Sequence, residues 1–114
     1  MKLALICLFA ASLLCSAVLH PLDGQWFGSI ETDRGTMQIG LELHDSEGKL
    51  TGVVNTPHGD WPVTSVSEDK GAFTVVFSNG DGNGKMEGRI RENKFTGKWD
   101  NRPYAAGTFE LMKR

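Results

Sequence analysis

Cysteine is nearly missing from this chain: among 114 residues only Cys7 and Cys15 occur, both near the start. Past residue 17 there is none, so the rest of the protein has no disulfide and no thiol nucleophile. Charge of one sign is missing too. Twelve Lys and Arg stand against fourteen Asp and Glu, for a net charge of −2, which gives no electrostatic footprint for nucleic acid. Beyond the first 20 residues no stretch has helical periodicity of useful length. No serine sits in a nucleophile elbow. The three histidines fall at no spacing that would assemble the three or four ligands of a zinc site.

What is there begins with an apolar segment. Lys2 is followed by the uncharged run Leu3 to Ala11 and then by Cys15-Ser16-Ala17 as a small-residue cleavage site, the outline of a secretory signal peptide. An uncleaved anchor competes with that reading, because Leu3 to Leu19 nearly spans a bilayer. The small residues at 15 and 17 and the polar His20-Pro21 favour cleavage. Lipidation needs a small residue before Cys15, where Leu14 stands. The expected organisation is a signal peptide over 1–17, an N-terminal arm over 18–23 and a β-barrel domain over 24–114, in a secreted or periplasmic protein. Cleavage removes 17 of the 114 residues and Lys2 with them, leaving 97 residues at a net charge of −3. Such a chain buries enough surface to fold alone, with a modest margin.

One small pattern recurs five times: a large apolar residue, a spacer, Gly, a spacer and a second apolar residue. It reads Trp26-Phe27-Gly28-Ser29-Ile30, Leu50-Thr51-Gly52-Val53-Val54, Met86-Glu87-Gly88-Arg89-Ile90, Phe95-Thr96-Gly97-Lys98-Trp99 and, weakened by Ala, Ala105-Ala106-Gly107-Thr108-Phe109. Period two is the strand period. Eight strands are predicted, over 25–32, 36–44, 49–55, 61–66, 71–78, 85–91, 94–99 and 104–113. Alternation is cleanest in the second, where Met37, Ile39, Leu41 and Leu43 share a face. In the fourth, Pro62 and a parity shift between Val63 and Val66 predict an edge or a bulge. Short strands joined by turns, each with one apolar face, predict an all-β fold: an eight-stranded antiparallel up-and-down barrel.

A mid-strand glycine costs about 0.5 to 1 kcal/mol, so five of them need a geometric return. Sharp coiling of short strands into a closed sheet supplies one and is the favoured reading. Interior room for a ligand is a second reading, compatible with the first. The meander also sorts residues to two ends. Trp26, Leu43, Leu50, Val66, Phe73, Ile90, Phe95 and Leu111 gather at an end shut by tight turns. Ile30, Met37, Val54, Trp61, Phe77, Met86 and Trp99 gather at the other, with Tyr104 nearby. Its longer loops carry Arg34, His58, Asp60, Asn79, Asp81, Asn83, Asp100 and Arg102, so a pocket, if present, opens there.

Gly24-Gln25-Trp26 at the start of the first strand, the eight-strand meander and Lys113-Arg114 at the end of the last resemble the lipocalin and avidin group of barrels. The resemblance implies that Trp26 plugs the closed end with a basic residue over its ring; Lys113 is in phase with Phe109 and Leu111 for that role. The Trp-x-Gly start, the Gly48-x-Leu50-x-Gly52 strand and the Pro57-x-Gly59 loop are also similar to small barrel domains of secreted bacterial proteins, sometimes appended to hydrolases. The chain is shorter than an ordinary lipocalin and lacks its helix, which implies a small cavity.

Trp61, Trp99 and Tyr104 can form an aromatic clamp at the open end, with Met37, His58 and Arg102 beside it as ligand-binding candidates; packing of the core and rim is the favoured reading of the rings. The expected function is non-catalytic binding of a small apolar or planar ligand, without a cofactor or metal. The alternative is a protein-interaction module, as in lipocalin-like protease inhibitors, that uses residues 18–23 to reach its partner. A third reading makes His58 and Asp60 an acid/base pair. The run Asn79 to Gly84 resembles the first half of a calcium loop, but its twelfth position is Ile90 in place of a bidentate Glu, and it also reads as a plain turn.

Overall fold

The computed structural model describes residues 21–114; the expected signal peptide and the start of the arm lie outside the described residues. Eight strands follow one another: β1 Gly24–Thr32, β2 Gly35–Ser46, β3 Lys49–Thr56, β4 Gly59–Asp69, β5 Ala72–Ser78, β6 Asn83–Arg91, β7 Lys94–Asn101 and β8 Ala105–Lys113. Each pairs antiparallel with its neighbour, and β1 pairs with β8, from Trp26 opposite Lys113 to Thr32 opposite Gly107, closing the barrel. Each strand thereby has a hydrogen-bonded neighbour on both sides, so none is left as the open edge strand that templates aggregation.

The recurrent glycines explain how so small a sheet closes. A Cβ added at Gly28, Gly52, Gly88, Gly97 or Gly107 would stand 1.8 to 2.0 Å from a carbonyl oxygen of an adjacent strand: those of Glu110, Glu42, Thr96, Glu87 and Glu31 in turn. Neighbouring backbones fold over one another at mid-height. Gly88 and Gly97 do so reciprocally as a register pair. The space above each glycine is therefore filled by the next strand, and coiling is the return that these residues supply.

The interior below the mouth is packed. Trp26 meets Phe95 edge-on at 6.0 Å and Phe95 meets Phe109 at 4.8 Å, within the spacing that aromatic pairs prefer. Leu41, Leu43, Val75 and Leu111 fill the gaps and are fully buried. Leu22, the described part of the arm, is buried as well and closes the base: its carbonyl accepts the Trp26 indole N–H at 3.0 Å. Lys113 Nζ lies 5.6 Å from the Trp26 ring centroid, as a cation over an aromatic face.

Three differences from the sequence expectation have local causes. Strand β4 extends to Gly59 and Asp69, and a bulge between Val63 and Ser65 absorbs the parity shift. Its pairing with β3 stops at Pro62, which has no N–H to donate. Strand β6 begins at Asn83, opposite Ser78, and so takes the last two residues of the glycine-rich loop into the ladder. Strand β8 begins at Ala105, because Tyr104 donates its backbone N–H to Asn101 O at 2.8 Å and closes a turn.

The closed end carries the two-residue hairpins Glu47-Gly48, Lys70-Gly71 and Glu92-Asn93, all at positive φ, the twist that matches flanking strands. Lys70, at φ 53°, carries a Cβ in a region that costs ordinary L-residues about 1 to 2 kcal/mol. Lys70→Asn creates the favoured Asn-Gly pair and should gain up to about 1 kcal/mol, read as a higher urea midpoint at unchanged slope.

Candidate functional site

The open end holds a cleft of about 710 Å³, inside the roughly 300 to 1,000 Å³ range of small-molecule sites. Five of the six residues singled out from the sequence line it: Met37, His58, Trp61, Trp99 and Tyr104. Strand parity brings Met37, Trp61 and Trp99 there, because β2, β4 and β7 each have their mouth-side inward position at that residue. The sixth, Arg102, does not line the cleft. Its guanidinium donates from Nε and Nη2 to Asp100 at 2.9 and 2.7 Å on the outside of the turn. Those hydrogen bonds hold the Asp100 carboxyl down at about 2.

The aromatic residues form a stack whose centre is Phe77. Trp61 lies parallel to it, with centroids 5.6 Å apart and planes 1° apart, and Trp99 lies 5.2 Å away at 28°. Gly84 opposite Phe77 leaves room for that ring: a Cβ there would meet its Cζ at 2.2 Å. Trp61 and Trp99 therefore each commit a face to Phe77. The half-buried Trp61 offers its remaining surface to the cleft, while Trp99 is buried and forms floor.

The polar part of the site comes from turns. Thr32-Asp33-Arg34-Gly35 and Thr56-Pro57-His58-Gly59 are built alike. In each, the Thr hydroxyl accepts the N–H of the third residue, at 3.0 and 3.1 Å, and donates to the Gly carbonyl, at 3.2 and 2.8 Å. Gly35 and Gly59 have φ of 115° and 130°, which residues with a side chain rarely adopt. Both turns set their third residue, Arg34 and His58, in the cleft wall. The repeated Thr-x-basic-Gly spelling was the available signal for Arg34 as a lining residue.

Two buried amides, Asn79 and Asn101, lie beneath. Asn79 Oδ1 accepts the Asp81 N–H at 3.0 Å, so its amino group is the donor to Asn101 Oδ1 at 2.6 Å. That chain of bonds fixes the Asn101 amide with its oxygen toward Asn79. Its Nδ2 finds no acceptor among the described residues, although Asn101 is only 3% exposed. A buried donor left without a partner costs about 1 to 3 kcal/mol.

Three acids of the mouth loops are engaged, while Asp33 points from its turn to solvent without a partner among the described residues. Asp60 accepts from Asn55 Nδ2 at 3.0 Å, Asp81 accepts the Tyr104 hydroxyl, and Asp100 accepts from Arg102. Among the described residues no hydrogen bond or ion pair joins His58 to Asp60, and no carboxylate lies within 4.0 Å of Arg34. In the glycine-rich loop Asn79 Oδ1 accepts the Asp81 N–H and Asp81 accepts the Tyr104 hydroxyl, and no group of three His, Cys, Asp or Glu suited to a metal occurs among the described residues.

The Tyr104–Asp81 contact raises the Tyr104 hydroxyl above its ordinary 10.0: its proton is held in the hydrogen bond, burial adds to this, and the Asp81 charge opposes a phenolate. A raised folded value means the contact stabilises fully below the unfolded value near 10 and is lost as pH rises through the folded one. Tyr104 is the sole tyrosine, so phenolate absorbance near 295 nm reads it alone. The titration midpoint should lie above 10 in the folded protein and move down in Asp81→Asn; a midpoint unmoved by that substitution would show that the contact does not form.

The fold and the site define a small closed β-barrel with an end-on cleft. The chain matches no protein-family model and no curated protein.

Proposed function

We propose that the protein is a non-catalytic binding barrel of the lipocalin and avidin kind, exported to a secreted or periplasmic location, whose mouth takes a small apolar or planar ligand. The observation that carries this reading is the cleft between packed core and solvent, walled by Met37, Trp61 and Trp99 with a few polar groups converging on it. Concave, mostly apolar sites with sparse polar anchors are where small molecules bind. The Lys113 ammonium over Trp26 at the opposite end supports the family likeness. Export rests on the apolar start of the sequence.

A screen of apolar and planar compounds tests the reading, with Trp emission and melting temperature as readouts. Binding at the mouth perturbs the half-buried Trp61 and raises the melting temperature by mass action, and Trp61→Ala weakens the effect at least about tenfold. A panel that shifts neither emission nor melting would sink it.

A further inference from the structure

We propose that the cleft takes a small organic carboxylate, with Asn101 Nδ2 donating to an acceptor oxygen of the ligand and Arg34 meeting its charge at the rim, beside His58. This inference rests on the reading of the mouth as a ligand site and adds the charge and polar handle of the ligand.

Three observations carry it. First, the full charge that lines the cleft is the cation Arg34, and Asp33 beside it in the turn is exposed and not part of the lining. Asp60, Asp81 and Asp100 are bonded to neighbouring side chains, whereas Arg34 and His58 line the cleft, which contains no carboxylate of its own. Secondly, that placement follows from construction: the same Thr-hydroxyl turn occurs twice and sets its third residue, Arg34 or His58, in the cleft wall each time. Thirdly, the Asn101 amide is fixed by its bond from Asn79 so that two N–H donors remain without an acceptor in a residue 3% exposed. A buried donor of this kind selects a ligand oxygen, because a ligand without one leaves it unpaired. The planar guanidinium of Arg34 matches a carboxylate in shape as well as in charge. The apolar remainder of the wall, Met37 and Trp61, accommodates the body that carries it.

The test titrates the protein with matched probes that share a body and differ in charge: 2-naphthoate against 2-naphthylmethanol, and octanoate against octanol. Binding is read by heteronuclear NMR, including the Asn side-chain amides and Arg Nε, at neutral pH and low salt. The acids should bind about tenfold or more tightly than the alcohols, shift the Asn101 side-chain amide and Arg34 Nε, and weaken as salt screens the rim. Arg34→Gln, in an exposed turn, should keep the fold and bring acid and alcohol within about threefold of each other. Asn101→Asp should lose the acids and, where it folds, keep the alcohols.

Alcohols that bind as tightly as acids, or acid-induced shifts that spare Asn101 and Arg34, would overturn this inference and leave the ligand-binding reading standing. If neither acids nor alcohols bind, both readings fall together.

Discussion

Replacing Gly97 with alanine should lower the melting temperature by roughly 10 to 20 °C, the equivalent of about 2 to 3 kcal/mol in a domain of this size. The added methyl would stand 2.0 Å from Glu87 O and 2.5 Å from Gly88 Cα. Both are backbone atoms held by the ladder between β6 and β7, so no side-chain rotation relieves the clash. The strands must part, and a barrel whose total stability is about 5 to 15 kcal/mol has little slack. Gly82→Ala is the control: nothing lies within 4 Å of the new Cβ, and its effect should stay within about 0.5 kcal/mol. The double variant Gly88→Ala with Gly97→Ala should cost less than the sum of its parts. Once one methyl has moved the strands apart, the other enters the same gap. Equal melting temperatures for Gly97→Ala and Gly82→Ala would refute close strand approach as the reason for the glycines.

Phe77→Ala should cost about 3 to 5 kcal/mol, as expected for removing a fully buried phenyl ring. The ring is 0% exposed and supports Trp61 and Trp99 at 5.6 and 5.2 Å, so two stacked contacts go with it, each worth about 0.5 to 1.5 kcal/mol beyond the buried area. The near-ultraviolet circular dichroism of the tryptophans should collapse in any fraction that still folds, because Trp61 loses the face that orients it. Phe27 gives the comparison. It is 44% exposed on the outer wall, with the Arg114 guanidinium 4.8 Å from its centroid, and Phe27→Ala should cost no more than about 1 kcal/mol. A Phe77→Ala protein with native dichroism would show that the stack does not position the cleft wall.

Architecture was legible because the pattern has one period throughout. Alternation in 37–43 put Ile39, Leu41 and Leu43 inward, where they are buried, and strand parity alone then placed Met37, Trp61 and Trp99 at one end. The reason for the glycines was legible only in part. Coiling follows from their spacing, but the carbonyl over each belongs to a neighbouring strand and is invisible along the chain. Polar residues were harder. Arg34 and Arg102 look alike in sequence, two basic residues in mouth turns. Asp100, two positions before Arg102, captures it outside, while Thr32 folds its own turn and leaves Arg34 to the cleft. Burial of Asn101 depends on Asn79, 22 positions away, and a loop-like run of Asp, Asn, Arg and Pro gives no hint of it. Leu22 reads as arm because it precedes Gly24, where β1 begins; its carbonyl, which accepts the Trp26 indole N–H, ties it to the barrel.

The seam between β1 and β8 has a consequence for attachment. Gly24 and Lys113 lie at the same end, with Arg114 N donating to Gln25 O at 2.9 Å, and that end is the one opposite the mouth. A linker, surface tether or second protein joined at the start of β1 or the end of β8 therefore departs from the base and leaves the opening toward solvent. The start of β1 and the end of β8 are also near enough for a short splice, so new ends can be cut into the Glu92-Asn93 hairpin, again at the base. The barrel is built as a cup with its handle underneath, and the four mouth loops can be rewritten while it stays held.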